Sequence, residues 1–371
     1  DNGVMDEPAF LAYLQDSHAP DPNPNERAGR WVEEAGWPTN NVAMTRLGMV
    51  PGSLIETAGA SGSSVEICSP VTLGLKSGEY MPISGIAELP QDQRGDDALS
   101  VCFDGEPLTE KLELLGTTYA HLRISSDCAH GMIAVRICDV APNGESTLIS
   151  YGLLNLKQRD GKEVCAEITP EEMMDVSVRL NDTGWSMKLG HKLRLALSSH
   201  LWPMAWPQAE QATLKVDLDG CSLELPVRSN DAGGEIDTPF AETEAADAPT
   251  LEVVVPATGS RHIHQNIETG ETVYDVKSDS GKIRFEDINL TYGSMNSQCY
   301  SIIDGDPLSA KIEYCADFSF ARDGWDVRTE SQLITTCDAE YFFLNGRIAA
   351  YEGDEQVYAR KWDLKVPRIV F

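Results

Sequence analysis

From Lys192 to Ser198 polar and apolar positions alternate. Leu193, Leu195 and Leu197 point one way, and Lys192, Arg194 and Ser198 point the other. This period of two predicts a strand. Residues 175–180 repeat the pattern, with Val176, Val178 and Leu180 inward and Ser177 and Arg179 outward. Turn signals separate such runs. One is Pro142-Asn143-Gly144, where Asn-Gly supplies the positive φ of a tight turn. Many short alternating strands over residues 49–228 predict a β-sandwich. Helix-period patterns longer than two turns are scarce, and no repeat of fixed period is present.

The flanks read differently. In residues 1–48, Phe10, Leu11 and Leu14 suit a short helix or a strand, and Pro20, Pro22 and Pro24 then break any regular element. Trp31 and Trp37-Pro38 follow, in a segment too short to hold its own core, so it is expected to lie against a larger body. Residues 229–250 are rich in Asp, Glu, Ala, Gly and Pro and predict an exposed linker. Residues 251–371 return to β patterning, with strand candidates at 253–255, 273–276, 283–285 and 325–333. Glu352-Gly353-Asp354 reads as the tip of a hairpin between 341–351 and 356–362. The chain is therefore expected to be all-β, a sandwich followed by a second, smaller β domain.

Composition narrows the partners. The 371 residues are 42% hydrophobic, enough for real cores, yet no apolar run approaches the ~20 residues of a membrane helix. The formal net charge of −30 sets the chain against nucleic acid and against an anionic membrane surface. A solvated surface is the ordinary reason for such acidity, and a salt-rich source is an additional one. Nine cysteines contain no C-x-x-C pair, which argues against a zinc ribbon or a redox motif. Several, such as Cys138, lie in strand-like stretches. They predict buried thiols in a reducing, cytoplasmic compartment, with one or two disulfides as the alternative. The first residues, Asp1 to Pro8, lack both a signal peptide and an initiator methionine. Residue 1 is therefore expected to be an internal point of a longer chain or the start of a processed subunit.

A search for chemistry finds little. Gly59-Ala60-Ser61-Gly62 does not meet the G-x-S-x-G spacing of a nucleophile elbow and suits a flexible loop. Neither S-x-x-K nor H-E-x-x-H occurs. His262-Ile263-His264 puts two rings on one face of a strand, but no third ligand can be named, so no metal or other cofactor is expected. Asp304-Gly305-Asp306-Pro307 reads as a tight turn rather than a calcium loop. Two Trp-Pro pairs, Trp202-Pro203 and Trp206-Pro207, place indoles on a stiff loop. They either fill the core of their own domain or form a docking face. The residues alone describe an acidic, mostly β, two-domain chain without a self-contained catalytic constellation.

Several stretches together resemble a known family. They are 139–146 (Asp-Val-Ala-Pro-Asn-Gly-Glu-Ser), 151–156 with Arg159-Asp160, 190–207, and 92–97 followed by Phe103 and Pro107-Leu108. This combination resembles the C-terminal jelly-roll domain of the cocaine esterase and X-Pro dipeptidyl peptidase family of serine hydrolases. Residues 3–8, Gly29-Arg30-Trp31 and Trp37-Pro38 resemble the segment just after the α/β-hydrolase domain in longer members. Residues 304–310, 325–328 and 366–368 resemble an extra β domain of a subgroup.

The resemblance implies a galactose-binding-like jelly roll over 49–228. It also implies hydrolysis of small esters or peptides by a Ser-His-Asp triad that would precede residue 1. No position here inherits a catalytic role, so the implied partner is an α/β-hydrolase domain or chain. The loop 73–81 corresponds to one that walls the acyl pocket, with Leu75, Tyr80 and Met81 offered to substrate. Trp31, Trp37, Trp202 and Trp206 are the domain-docking candidates. The alternative is a free-standing carbohydrate-binding module with Trp202 and Trp206 stacked on pyranose faces. An enzyme acting alone is a third reading, and association into a homo-oligomer is compatible with each.

Overall fold

The computed structural model describes residues 5, 7–56, 62–78, 89–237, 240 and 245–369. The chain divides into two compact units, one of residues up to 204 with 212–242, the other of 205–211 with 243–369. Both are β. The one α-helix among the described residues is a single turn, Arg94–Asp97.

In the first unit the strand Met132–Val140 is central. It pairs antiparallel with Ser146–Asn155 on one side and with Lys192–Ser198 on the other. All nine of its residues are buried. The turn between Met132–Val140 and Ser146–Asn155 is closed by Gly144 donating to Ala141 O at 2.8 Å, with Gly144 at φ +86. Leu193, Leu195 and Leu197 are buried as the alternation predicts, but so are Ala196 and Ser198. Lys192 and Arg194 stay half-buried, while neighbouring strands on both edges help to enclose Ala196 and Ser198. Met174–Arg179 keeps the simple alternation, with Val176 and Val178 buried and Ser177 and Arg179 exposed. Inward side chains such as Phe103, Leu122, Ile137, Leu195 and Leu223 form one continuous core. Each full burial of this kind stabilises by roughly 1.5–3 kcal/mol.

The N-terminal segment is a strand, not a helix. Phe10–Asp16 pairs antiparallel with Gly29–Glu34 and parallel with Thr183–Met187. Leu14 and Val32 bury against Leu115 of the body. Charged pairs fasten the same segment. Arg228, buried, reaches Glu34 at 3.0 Å and Glu113 at 3.4 Å, and Arg30 and Lys111 also pair with Glu113. Burial pushes the Glu113 carboxyl up, but hydrogen bonds from Lys111 and Arg30 outweigh it and hold the group below its ordinary value.

Part of the expected linker is tied down as well. Glu235–Ile236 pairs with Gly29–Glu34, and Glu33 N donates to Gly234 O at 2.8 Å. An acidic, apolar-poor stretch can join a sheet edge because backbone groups alone make the ladder. Residues 245–250 are exposed.

The second unit is one eight-stranded antiparallel sheet. Its strands are long: Glu271–Phe285, Leu290–Ile303, Asp306–Arg322, Trp325–Cys337, Tyr341–Glu352 and Glu355–Pro367 follow one another as a meander. Leu251–Val255 and Thr258–Gln265 both pair with Glu271–Phe285. The separate candidates 273–276 and 283–285 are one strand, continuous through a bulge at Gly281 (φ +66). Gly305 (φ +76) and Gly353 (φ +56) turn two of the hairpins.

Candidate functional site

A groove opens on the first unit beside the N-terminal strand. It measures about 500 Å³ and is lined by Phe10, Trp37, Leu115, Arg179, Asp182 and Thr183, among others. Trp37 is 48% exposed and stacks on Phe10 with ring centroids 4.7 Å apart. The indole reaches this position over Gly116 (φ +119), where an added Cβ would lie 3.2 Å from the ring. Arg179 pairs with Asp182 at 2.8 Å on the opposite wall, and Thr117 donates to the same carboxylate. The groove thus combines an exposed aromatic platform with one paired charge.

The turn 70–78 is a second element of interest. Leu73 is buried with Ala134 and Leu201. Gly74 sits at φ +116, and a Cβ there would meet Trp202 O at 2.6 Å. Trp202 N donates to Leu73 O at 2.6 Å, Gln93 Nε2 to Lys76 O at 2.7 Å, and Lys76 N to Asp96 Oδ2 at 3.3 Å. Burial raises the Asp96 carboxyl above its ordinary value. These bonds fix the turn, in which Leu75 is half-buried.

The stretches that carry the family resemblance meet in two buried polar clusters. Arg136, wholly buried, pairs with Asp97 at 3.0 Å and donates to Gln93 at 2.8 Å, while Arg194 bridges Asp97 at 3.2 Å and Asp104 at 2.7 Å. Asp139, also buried, accepts from Ser17 Oγ and from Trp185 Nε1 at 3.0 Å, and His191 Nδ1 lies 2.6 Å from its other oxygen. Serine, histidine and aspartate are therefore neighbours, but in the wrong order for acyl transfer. A triad places the imidazole between hydroxyl and carboxylate so that it can take the hydroxyl proton. Here the carboxylate is in the middle, and it binds both groups as a clamp. Asp139 and His191 stand in the motifs quoted above, but nothing in their spacing revealed that they meet.

The sequence candidates fall in different places. Leu75 does not line the groove, and Tyr80 and Met81 lie outside the described residues. Trp31 is half-buried, edge-on to Tyr13 and Phe240. Trp37 is on the groove. Trp202 is 1% exposed, a correction to its expected place on a docking face or as a sugar platform: the close approach of the turn 70–78 encloses it. Trp206 belongs to the second unit, where Nε1 donates to Cys337 Sγ at 3.3 Å and the ring meets Phe342 edge-on. Phe10, Arg179 and Asp182 were not singled out, because their roles arise only when three strands are brought side by side. Rings of His262 and His264 are 5.6 Å apart, and among the described residues no group of three or more His, Cys, Asp or Glu is placed to hold a metal. No helix among them is long and apolar enough to cross a membrane. Cys102, Cys138 and Cys221 are thiols; burial pushes Cys102 and Cys221 up to about 11 and Cys138 further.

Comparison with known proteins places these features. The chain is 24% identical over 189 residues to the cocaine esterase of Rhodococcus sp. (strain MB1 Bresler), covering 47% of this chain and 32% of that protein. It is 26% identical over 156 residues to the Xaa-Pro dipeptidyl-peptidase of Streptococcus sanguinis (strain SK36), covering 33% of this chain and 20% of that protein. The chain thus spans about a third or less of the curated relatives it matches. Among solved structures, an aminopeptidase from a marine sediment Thaumarchaeota archaeon aligns with a TM-score of 0.47 and 20% identity, over 54% of this chain and 38% of that one. Residues 2–241, more than half of the chain, match the model of the X-Pro dipeptidyl-peptidase C-terminal non-catalytic domain, and the chain belongs to that family.

Proposed function

We propose that this chain braces an α/β-hydrolase portion that carries the reactive serine, and that the two act together on small esters or peptides. The groove at Trp37 and Phe10 docks on that portion, with Trp31 alongside. The stretch 73–81, which carries Leu75, Tyr80 and Met81, walls the acyl pocket. The observation that carries this reading is the half-exposed Trp37 indole on a groove of mixed polarity, in a chain whose family is described as non-catalytic. An aromatic of this size held on a fixed platform is the usual anchor of a protein contact.

The test is association. A hydrolase portion of the same family should bind this chain, and Trp37→Ala should weaken binding about tenfold or more. Leu75→Ala should alter KM or kcat of the assembled enzyme while leaving assembly intact. A chain that binds no hydrolase polypeptide, or binds equally well without Trp37, would refute the docking role. The carbohydrate-binding alternative loses its platform at Trp202, which is enclosed.

A further inference from the structure

Residues 205–211 follow Met204 and precede Ala212, both of the first unit, yet by their neighbours they belong to the second. An anchor stands on each side of this change. Before it, Leu201 is buried with Leu73 and Ala134, Met204 packs on the same cluster, and Trp202 N donates to Leu73 O at 2.6 Å. After it, Trp206 Nε1 donates to Cys337 Sγ at 3.3 Å, and its ring stands edge-on to Phe342 with centroids 5.4 Å apart. Arg368, 6% exposed, completes the second anchor. Its Nη2 donates to Pro207 O at 2.8 Å, its Nη1 to Asp338 O at 2.9 Å, and its guanidinium lies 4.8 Å from the Phe342 ring centre. Both of these bonds go to backbone carbonyls, so the rigid guanidinium fork fixes where the chain runs. Pro207, Gln208 and Ala209 are buried.

We propose that Arg368 and Trp206 are positioning residues for the turn 70–78. By gripping 206–207 they hold 201–204 in place, and through Trp202 and Leu73 they hold the turn. The link to the acyl pocket rests on the reading above, in which this turn is part of the pocket wall; residues near the C-terminal end of the chain then set where Leu75 stands. Length supports the coupling. Trp206 follows Trp202 by four positions, at most about 14 Å of extended chain. Pro203 and Pro207 fix their own φ and restrict the residue before each, so the link has little slack. Packing supports it too. A Cβ on Gly74 would lie 2.6 Å from Trp202 O, so the two backbones are already in close approach. A shift of Trp202 towards the turn displaces it, and a shift away breaks the bond to Leu73 O.

Hydrogen exchange on the whole 371-residue chain tests the grip without any hydrolase portion. In Arg368→Met the amides of Leu73, Ser77 and Trp202, which donate to Pro70 O, Gly74 O and Leu73 O, should exchange about tenfold faster or more. Amides of Met132–Val140 and of Leu290–Ile303 should keep their protection, which shows that both sheets stay folded. Trp206→Phe keeps a ring beside Phe342 without the Nε1 donor and should give a smaller rise; it carries the same test if Arg368→Met fails to fold. Unchanged exchange in the turn, or exchange raised equally throughout the first unit, overturns the proposal. The assembled enzyme gives a second readout. Arg368→Met should shift the ratio of kcat/KM between a bulky and a small acyl substrate about fivefold, in the direction that Leu75→Ala shifts it, and the double variant should add little. Shifts that simply add would overturn the route through the turn. Faster exchange in the turn, with a Leu75→Ala enzyme of unaltered selectivity, would support the grip and count against the acyl-pocket wall instead.

Discussion

At the scale of single residues, the first unit depends on buried charges that have partners. Arg136 is the clearest, enclosed by Asp97, Gln93 and Ser100. Arg136→Met would leave the Asp97 carboxylate buried with Arg194 as its remaining ion-pair partner. We expect a loss of about 3 kcal/mol in urea unfolding. His200 behaves in the opposite sense. It is 2% exposed, neither ring nitrogen has a hydrogen-bond partner among the described residues, and burial pulls its pKa down to about 4. The folded protein keeps this ring neutral while the unfolded chain takes up a proton near pH 6.5. Stability is therefore lost as pH falls from about 6.5 towards 4 and levels off below, by up to about 3 kcal/mol from this group. His200→Leu should flatten that part of the stability–pH curve. An unchanged acid slope in the variant would mean that other groups set it.

At the scale of elements, turn chemistry was the most legible part of the sequence. Asn143-Gly144 and Glu352-Gly353-Asp354 mark hairpins because positive φ is a local demand that few residues meet. Alternation located strands such as Met174–Arg179 and Lys192–Ser198, although in the second tertiary cover also buries Ala196 and Ser198. The groove was half legible. Trp37 stood out by its size and its proline, whereas Arg179, Asp182 and Gly116 became part of it only through strand pairing. Gly74 illustrates a constraint visible in three dimensions alone. Its φ of +116 and the 2.6 Å approach to Trp202 O leave no room for a methyl group. Gly74→Ala should cost about 2 kcal/mol or more and lower the melting temperature. A neutral variant would show that the turn 70–78 shifts freely, and with it the support for Leu75.

At the scale of the whole molecule, two properties follow from charge and from the order of groups around Asp139. A chain with a net charge of −30 repels itself, and screening by about 0.15 M salt relieves that repulsion. The thermal midpoint should therefore rise between low salt and physiological salt. A fall would point to ion pairs as the larger electrostatic effect. The chain by itself should also remain unlabelled by a serine-reactive fluorophosphonate, since Ser17 is bound to a carboxylate and not to an imidazole. Labelling at any serine of this chain would overturn its non-catalytic role.

The fastening of the first strand has a practical meaning for dissecting the protein. A cut at residue 48, where composition suggests a border, would remove Ser17 and Arg30 together. Asp139 and Glu113, both buried, would then each lose a partner. A piece that keeps these pairings intact starts ahead of Phe10 and runs past Ile236.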